Sequence, residues 1–149
     1  MEKQKKEKIL KLASDLDKDL ESQKIDKVLT YFSEDGEIEL FGLNLVGKEG
    51  IKKWLTWFFG ICDKIQFEPI VIMVEGDTFF EEFIIHITQK NGKTLSVKVA
   101  EVLIYEDFKI KSLRLYLDRL QFSELIIDGF FGKKIVETIK KKSLNGLLS

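Results

Sequence analysis

The stretch that most constrains this chain runs from Ile65 to Leu117. It reads "IQFEPIVIMVEGDTFFEEFIIHITQKNGKTLSVKVAEVLIYEDFKIKSLRLYL", nearly continuous strand material broken only by "EGD", "KNGK" and "YEDF". Short polar breaks between β-branched and aromatic runs make hairpins, so this half folds as an antiparallel meander. Asn91-Gly92 is the strongest of the turn signals. The single proline, Pro69, has no N–H to give a ladder, which puts it at a sheet edge or a bulge.

The strand starting at Thr78 is apolar on both sides. One face offers Phe80, Ile84 and Thr88, the other Phe79, Phe83, Ile85 and Ile87. Both faces therefore need a cover. The first half supplies one. Ile9, Leu10, Leu12, Ala13, Leu16 and Leu20 keep helical spacing from about Lys3 to Glu21, and Ile25, Val28, Leu29 and Phe32 continue after "SQKID" as a second short helix. "EDGEIELFG" alternates as a strand ending at Gly42. "GKEGIKKWLTWFFGI" then makes a third helix on Ile51, Trp54, Leu55, Phe58 and Phe59. Helices, strand, helix and meander in that order define an α+β fold. The tail from Ser123 to Ser149 predicts one or two short helices interrupted around Gly129 and Gly132. That tail, or a second copy of the chain, must cover the outer sheet face, and a homodimer through that face is expected.

Composition narrows the functions. At 149 residues, 44% hydrophobic and 33% charged, the chain fits one globular domain. A net charge of −1, with only Arg114 and Arg119 among 24 basic residues, argues against nucleic acid or an anionic membrane as partner. "GKKIVETIKKK" is a basic helix end, where lysines oppose the helix dipole. Cys62 stands alone, so no internal disulfide forms and a reducing, cytoplasmic setting is expected. "MEKQKKEKILKLASDL" has no uninterrupted apolar core, so no signal peptide is expected, and no stretch is apolar enough to span a membrane. One histidine and one cysteine do not make a zinc set. "GKEG" lacks phosphate-loop spacing, and the serines have no histidine partner for a triad. No metal and no cofactor are expected.

The candidate chemistry lies in Glu101, inside the apolar run Val97-Lys98-Val99-Ala100-Glu101-Val102-Leu103-Ile104-Tyr105. If Asn91-Gly92 is a two-residue turn, Lys90 pairs with Lys93. Ile84 then faces Val99, His86 faces Val97, and Glu82 faces Glu101. Opposed carboxylates repel unless one is protonated, a cation sits between them, or a bulge shifts the register. The first case is an acid/base pair. The other reading leaves Glu82 beside Glu81 at an exposed rim. His86 shares Glu82's face but lies too far along to touch Glu101; a hydrogen-bonded structural role is the favoured reading, with a place in the lining of the site as the alternative. Trp54 and Phe58 belong to the core, where a subset of aromatics can line a cavity.

Several motifs now fall in a familiar order. Tyr31-Phe32-Ser33-Glu34-Asp35, Gly47 to Ile51, Lys109-Ile110, and Arg114, Tyr116 and Asp118 follow one another between about Lys8 and Gln121. This order resembles the SnoaL-like and ketosteroid-isomerase-like members of the nuclear transport factor 2-like superfamily, with Phe108 in place of the usual turn glycine. The resemblance implies a curved, mostly antiparallel sheet wrapped by N-terminal helices into a cone with an apolar pocket, and a dimer through the outer sheet face. It implies a SnoaL-like cone domain over residues 1–122 and a C-terminal helical extension over 123–149, packed on the same domain or on a dimer partner.

Position by position, the isomerase's base falls on Leu40, its tyrosine on Leu16 and its protonated acid on Glu101, so steroid isomerisation by that mechanism is not expected. The Arg/Asp pair and final Asp of the epoxide-hydrolase-like branch fall on Glu82, Ile84 and Leu115, so that branch's mechanism is not expected either. What remains is a pocket lined by Leu16, Leu40, Leu103, Leu113 and Leu115 around Glu101. A three-residue loop at Glu106–Phe108 would set Leu113 opposite Glu101; a two-residue loop would set Ser112 there, with Arg114 diagonally close. The expected function is binding of an apolar small molecule, with acid/base chemistry of isomerase, cyclase or hydrolase type by Glu101 and Glu82. The alternative is a non-catalytic dimeric binding or scaffold protein whose own side chains fill the pocket.

Overall fold

The computed structural model describes residues 1–148. Five helices and six strands follow in the order α1 (Glu2–Glu21), α2 (Ile25–Leu29), β1 (Phe32–Leu40), β2 (Leu43–Val46), α3 (Gly47–Ile61), β3 (Lys64–Glu75), β4 (Thr78–Thr88), β5 (Thr94–Glu106), β6 (Lys109–Leu117), α4 (Arg119–Phe122) and α5 (Phe130–Ser143), with a 3-10 turn at Ser123–Leu125. The strands form one curved, open sheet in the order β2-β1-β6-β5-β4-β3. All neighbours are antiparallel except β1 and β6, which run parallel. Among the described residues no helix is long and apolar enough to cross a membrane.

α1 forms because Ile9, Ala13, Leu16 and Leu20 recur at four, three and four residues, and all four are buried. α3 does the same with Ile51, Trp54, Leu55 and Phe58. Both press these stripes on the inner sheet face, into a core with Phe79, Leu103, Ile110 and Leu113. Each large apolar side chain fully buried there contributes about 2 kcal/mol. At β1 the ladder with β6 shifts between Phe32 and Glu37. Gly36 sits in that shift, where a Cβ would come within 2.9 Å of the Ile110 carbonyl oxygen. A side chain at that position would push the two strands apart.

Two turns differ from the sequence expectation. Gln89 and Lys93 bond to each other, so the β4–β5 loop has three residues, with Gly92 in the left-handed region at φ +83°. That residue slips the pairing by one: Glu81, not Glu82, faces Glu101, while Glu82 faces Ala100, Ile84 faces Lys98 and His86 faces Ser96. The β5–β6 turn is the two-residue pair Asp107-Phe108, both at positive φ, followed by an extra residue on β6 between Ile110 and Ser112. Neither anticipated loop gives this register, and Leu115 lies opposite Glu101. The sequence reading also missed β2, which turns back from β1 through Phe41-Gly42.

Candidate functional site

β4 alternates strictly, with Phe79, Glu81, Phe83, Ile85 and Ile87 buried on the inner face and the residues between them half-buried on the outer. β5 brings Val97, Val99, Glu101, Leu103 and Tyr105 to the same inner face. Two carboxyls thus sit directly opposite one another on the concave side, Glu81 at 2% and Glu101 at 7% exposure. Asp17 of α1, half-buried and close enough to both to act on their charge, makes a third.

Burial costs an ionised carboxyl its hydration, and nearby negative charge adds to that cost. Glu81 is pushed up to about 7 by burial. Asp17 is pushed up to about 8, by burial first and then by Glu81 and Glu21. Glu101 is raised well above the ordinary carboxylate range by burial, then by Asp17 and Glu81. Among the described residues Glu81 Oε1 has no hydrogen-bond partner, and neither has the hydroxyl of Tyr105, which follows Glu101 along the same face of β5. Tyr105 is itself held protonated, by burial and then by Glu101. The buried Asp19 is different. It accepts a 2.6 Å bond from the Tyr31 hydroxyl and faces Lys27 at 3.5 Å, so it is a satisfied structural group.

Glu101 also borders an apolar cavity of about 60 Å³. Of the fourteen lining residues it alone is polar, and half are aromatic. Trp54 and Phe58 of α3 stack with ring planes 1° apart, and Phe67 meets Phe83 edge to face at 5.5 Å. The mouth is closed from the C-terminal side. Asp118 caps α4 by accepting from the Leu120 and Gln121 N–H groups. The turn it fixes sets Phe122 against Phe41 at 5.4 Å and Trp57 at 5.8 Å. The cavity is no larger than a few water molecules and is well below the roughly 300–1,000 Å³ of pockets that take drug-sized ligands.

Of the residues expected at the site, Glu101, Leu40, Trp54, Phe58 and Leu115 line this cavity. Leu16, Leu103 and Leu113 do not; each is at most 1% exposed within the core beside it. Two expectations are corrected. Glu82 is on the outer face, because the three-residue loop reverses the parity assumed for β4. His86 is on that face too, with Nδ1 2.7 Å from Ser96 Oγ and Nε2 2.7 Å from Glu68 Oε2. Arg114 pairs with Val102 away from the cavity, so no guanidinium neutralises Glu101.

The sequence reading missed Glu81, Asp17, Tyr105 and the Phe41–Trp57–Phe122 closure. Asp17 left a signal, since it falls between Ala13 and Leu20 on the apolar stripe of α1. Phe122 left none, because its place depends on how the chain turns after β6. Among the described residues no three His, Cys, Asp or Glu side chains converge as a metal-binding group.

A family profile described as a SnoaL-like domain matches residues 16–113. No protein of curated function matches the chain. Solved structures do. The chain is similar to a SnoaL-like polyketide cyclase from Shewanella denitrificans, at 13% identity and a TM-score of 0.70 over 79% of this chain and 96% of that one. It is similar to a protein of ketosteroid-isomerase-like fold from Catenulispora acidiphila in complex with trimethylamine, at 17% identity and a TM-score of 0.67 over 74% and 87%. TerC, co-crystallised with polyporic acid, is alike at 18% identity and a TM-score of 0.70 over 80% and 98%.

Proposed function

For a chain that belongs to the SnoaL-like domain family, we propose binding of a small, mostly apolar molecule in the cone, with Glu101 meeting the molecule's polar end and exchanging a proton with it. One observation carries this reading: the cavity wall is apolar except for a single buried carboxyl that no cation neutralises. Held protonated, such a carboxyl donates to a carbonyl or a developing oxyanion; once deprotonated it is a base in a dry site. That capacity suits isomerase-, cyclase- or hydrolase-type chemistry. Glu81 replaces Glu82 as the second acid of the pair. The wall is drawn from Leu40, Trp54, Phe58 and Leu115.

Support from relatives is of the same kind, since one neighbour is described as a SnoaL-like polyketide cyclase and others were solved with small organic molecules. The half-buried outer residues Phe80, Ile84, Val102 and Ile104 support a homodimer through that face. The lone, buried Cys62, its thiol pushed up to about 12 by burial, suits a reducing compartment such as the cytoplasm.

The test is a thermal-shift screen of apolar carbonyl and hydroxyl compounds on the wild type and Glu101→Gln in parallel. A compound that stabilises the wild type and loses that effect in the variant is the expected result. The small cavity favours one second reading, a scaffold whose own side chains fill the cone. A screen with no stabilising compound would select it.

A further inference from the structure

We propose that the molecule this cavity takes carries a cationic nitrogen, an alkylated ammonium group lodged among the aromatic rings with Glu101 as its counter-ion. The inference rests on the reading of the cone as a small-molecule site and names the ligand's chemistry.

The wall is the first ground. Trp54, Trp57, Phe58, Phe67, Phe83 and Phe122 all border the space, and no lysine, arginine or histidine does. An aromatic face presents negative electrostatic potential, so several rings around one desolvated point attract a cation over a neutral body of the same shape. The charge balance is the second ground. Behind Glu101 stand Glu81, 2% exposed and with Oε1 unpartnered, and Asp17 from the facing helix. The titratable groups turned toward Glu101 are thus carboxyls from α1 and β4 and the Tyr105 phenol of β5. Protonated, these groups need no partner; Glu101 ionises only where a cation stands beside it, and the wall supplies none of its own.

A metal ion does not meet the same need. No three of the described acidic, histidine or cysteine side chains converge as a ligand set, and the wall offers rings where a hard cation requires oxygens. Size agrees as well. A cavity of about 60 Å³ has no room for a fused ring system, so only a small head group enters it.

Titration calorimetry with choline and with dimethylbutanol, its uncharged carbon isostere, tests this on the full chain. Choline should bind roughly tenfold more tightly than the isostere, and Glu101→Gln should abolish that preference. Trp57 is 40% exposed at the mouth, so Trp57→Leu leaves the fold intact and should reduce the preference by itself. This variant decides the matter if Glu101→Gln does not fold. Equal or tighter binding of the isostere by the wild type overturns the ammonium assignment and leaves the small-molecule reading standing. So does failure of choline to bind when the carbonyl and hydroxyl screen has found a ligand. Failure of both experiments overturns both readings.

Discussion

Glu81 shows how much one residue of loop can change. Side chains alternate along a strand, so the extra residue in the Gln89–Lys93 loop moves a whole face of β4 from solvent to core. The sequence shows two adjacent glutamates and a strong turn dipeptide, but not whether Asn91-Gly92 turns alone or with Lys90. Glu101 was legible because its apolar flanks lie on its own strand; its partner was not, because partnership depends on the loop. A measurable consequence follows from the burial of Glu81. Its folded value of about 7 lies above its ordinary 4.5, so the native state holds the proton more tightly than the unfolded chain. That contribution is complete below about pH 4.5 and is lost as pH rises through 7, for a total on the order of 3 kcal/mol. Glu101 and, less strongly because it is partly exposed, Asp17 act in the same direction. The melting temperature should therefore fall between about pH 5 and pH 8. Glu81→Gln, neutral and of the same shape, should raise it at the upper end, leave it nearly unchanged at the lower, and flatten the profile. A variant whose profile parallels the wild type would show that Glu81 carries no such load.

At the scale of elements, helices α1 and α3 and the meander were legible because each shows its period over many residues. β2 was not, since Leu43–Val46 is too short to display one. α4 was hidden for a different reason. Its four residues exist because Asp118 caps them, and a cap reads in sequence only when a periodic run follows. Asp118→Ala removes acceptors for two N–H groups and should cost about 1 kcal/mol, which calorimetry would register as a melting temperature lower by about 3 °C. Its larger effect is on the site, because the same turn holds Phe122 over the mouth. Phe122→Ala should cost about 3 kcal/mol and enlarge the cavity, so that a fluorescent apolar dye binds the folded variant and not the wild type. Equal dye binding by both would mean that Phe122 does not limit entry.

For the molecule as a whole, the outer sheet face sets the clearest expectation. Phe80, Ile84, Val102 and Ile104 are half-buried there, Tyr116 and Met73 are more than half exposed, and no helix of the N-terminal half reaches them. Light scattering should find a dimer, and Ile84→Lys should return a folded monomer with the inner-face cavity unchanged. A monomeric wild type would remove the homodimer from the proposed function. The parallel pairing of β1 with β6 has a further consequence, in time and not in space. Ser33 bonds to Ile110, 77 positions later, and the strand next to β1 in the sheet is the last one made. As the chain leaves the ribosome, α1, α3 and the β1–β2 hairpin emerge with their apolar stripes bare and wait there for partners not yet synthesised. The meander can form as it appears, but the cone closes only when β6 arrives. Closure of the sheet is therefore late and rests on a pairing distant in sequence, which slows folding and leaves the apolar stripes of the nascent first half open to aggregation meanwhile.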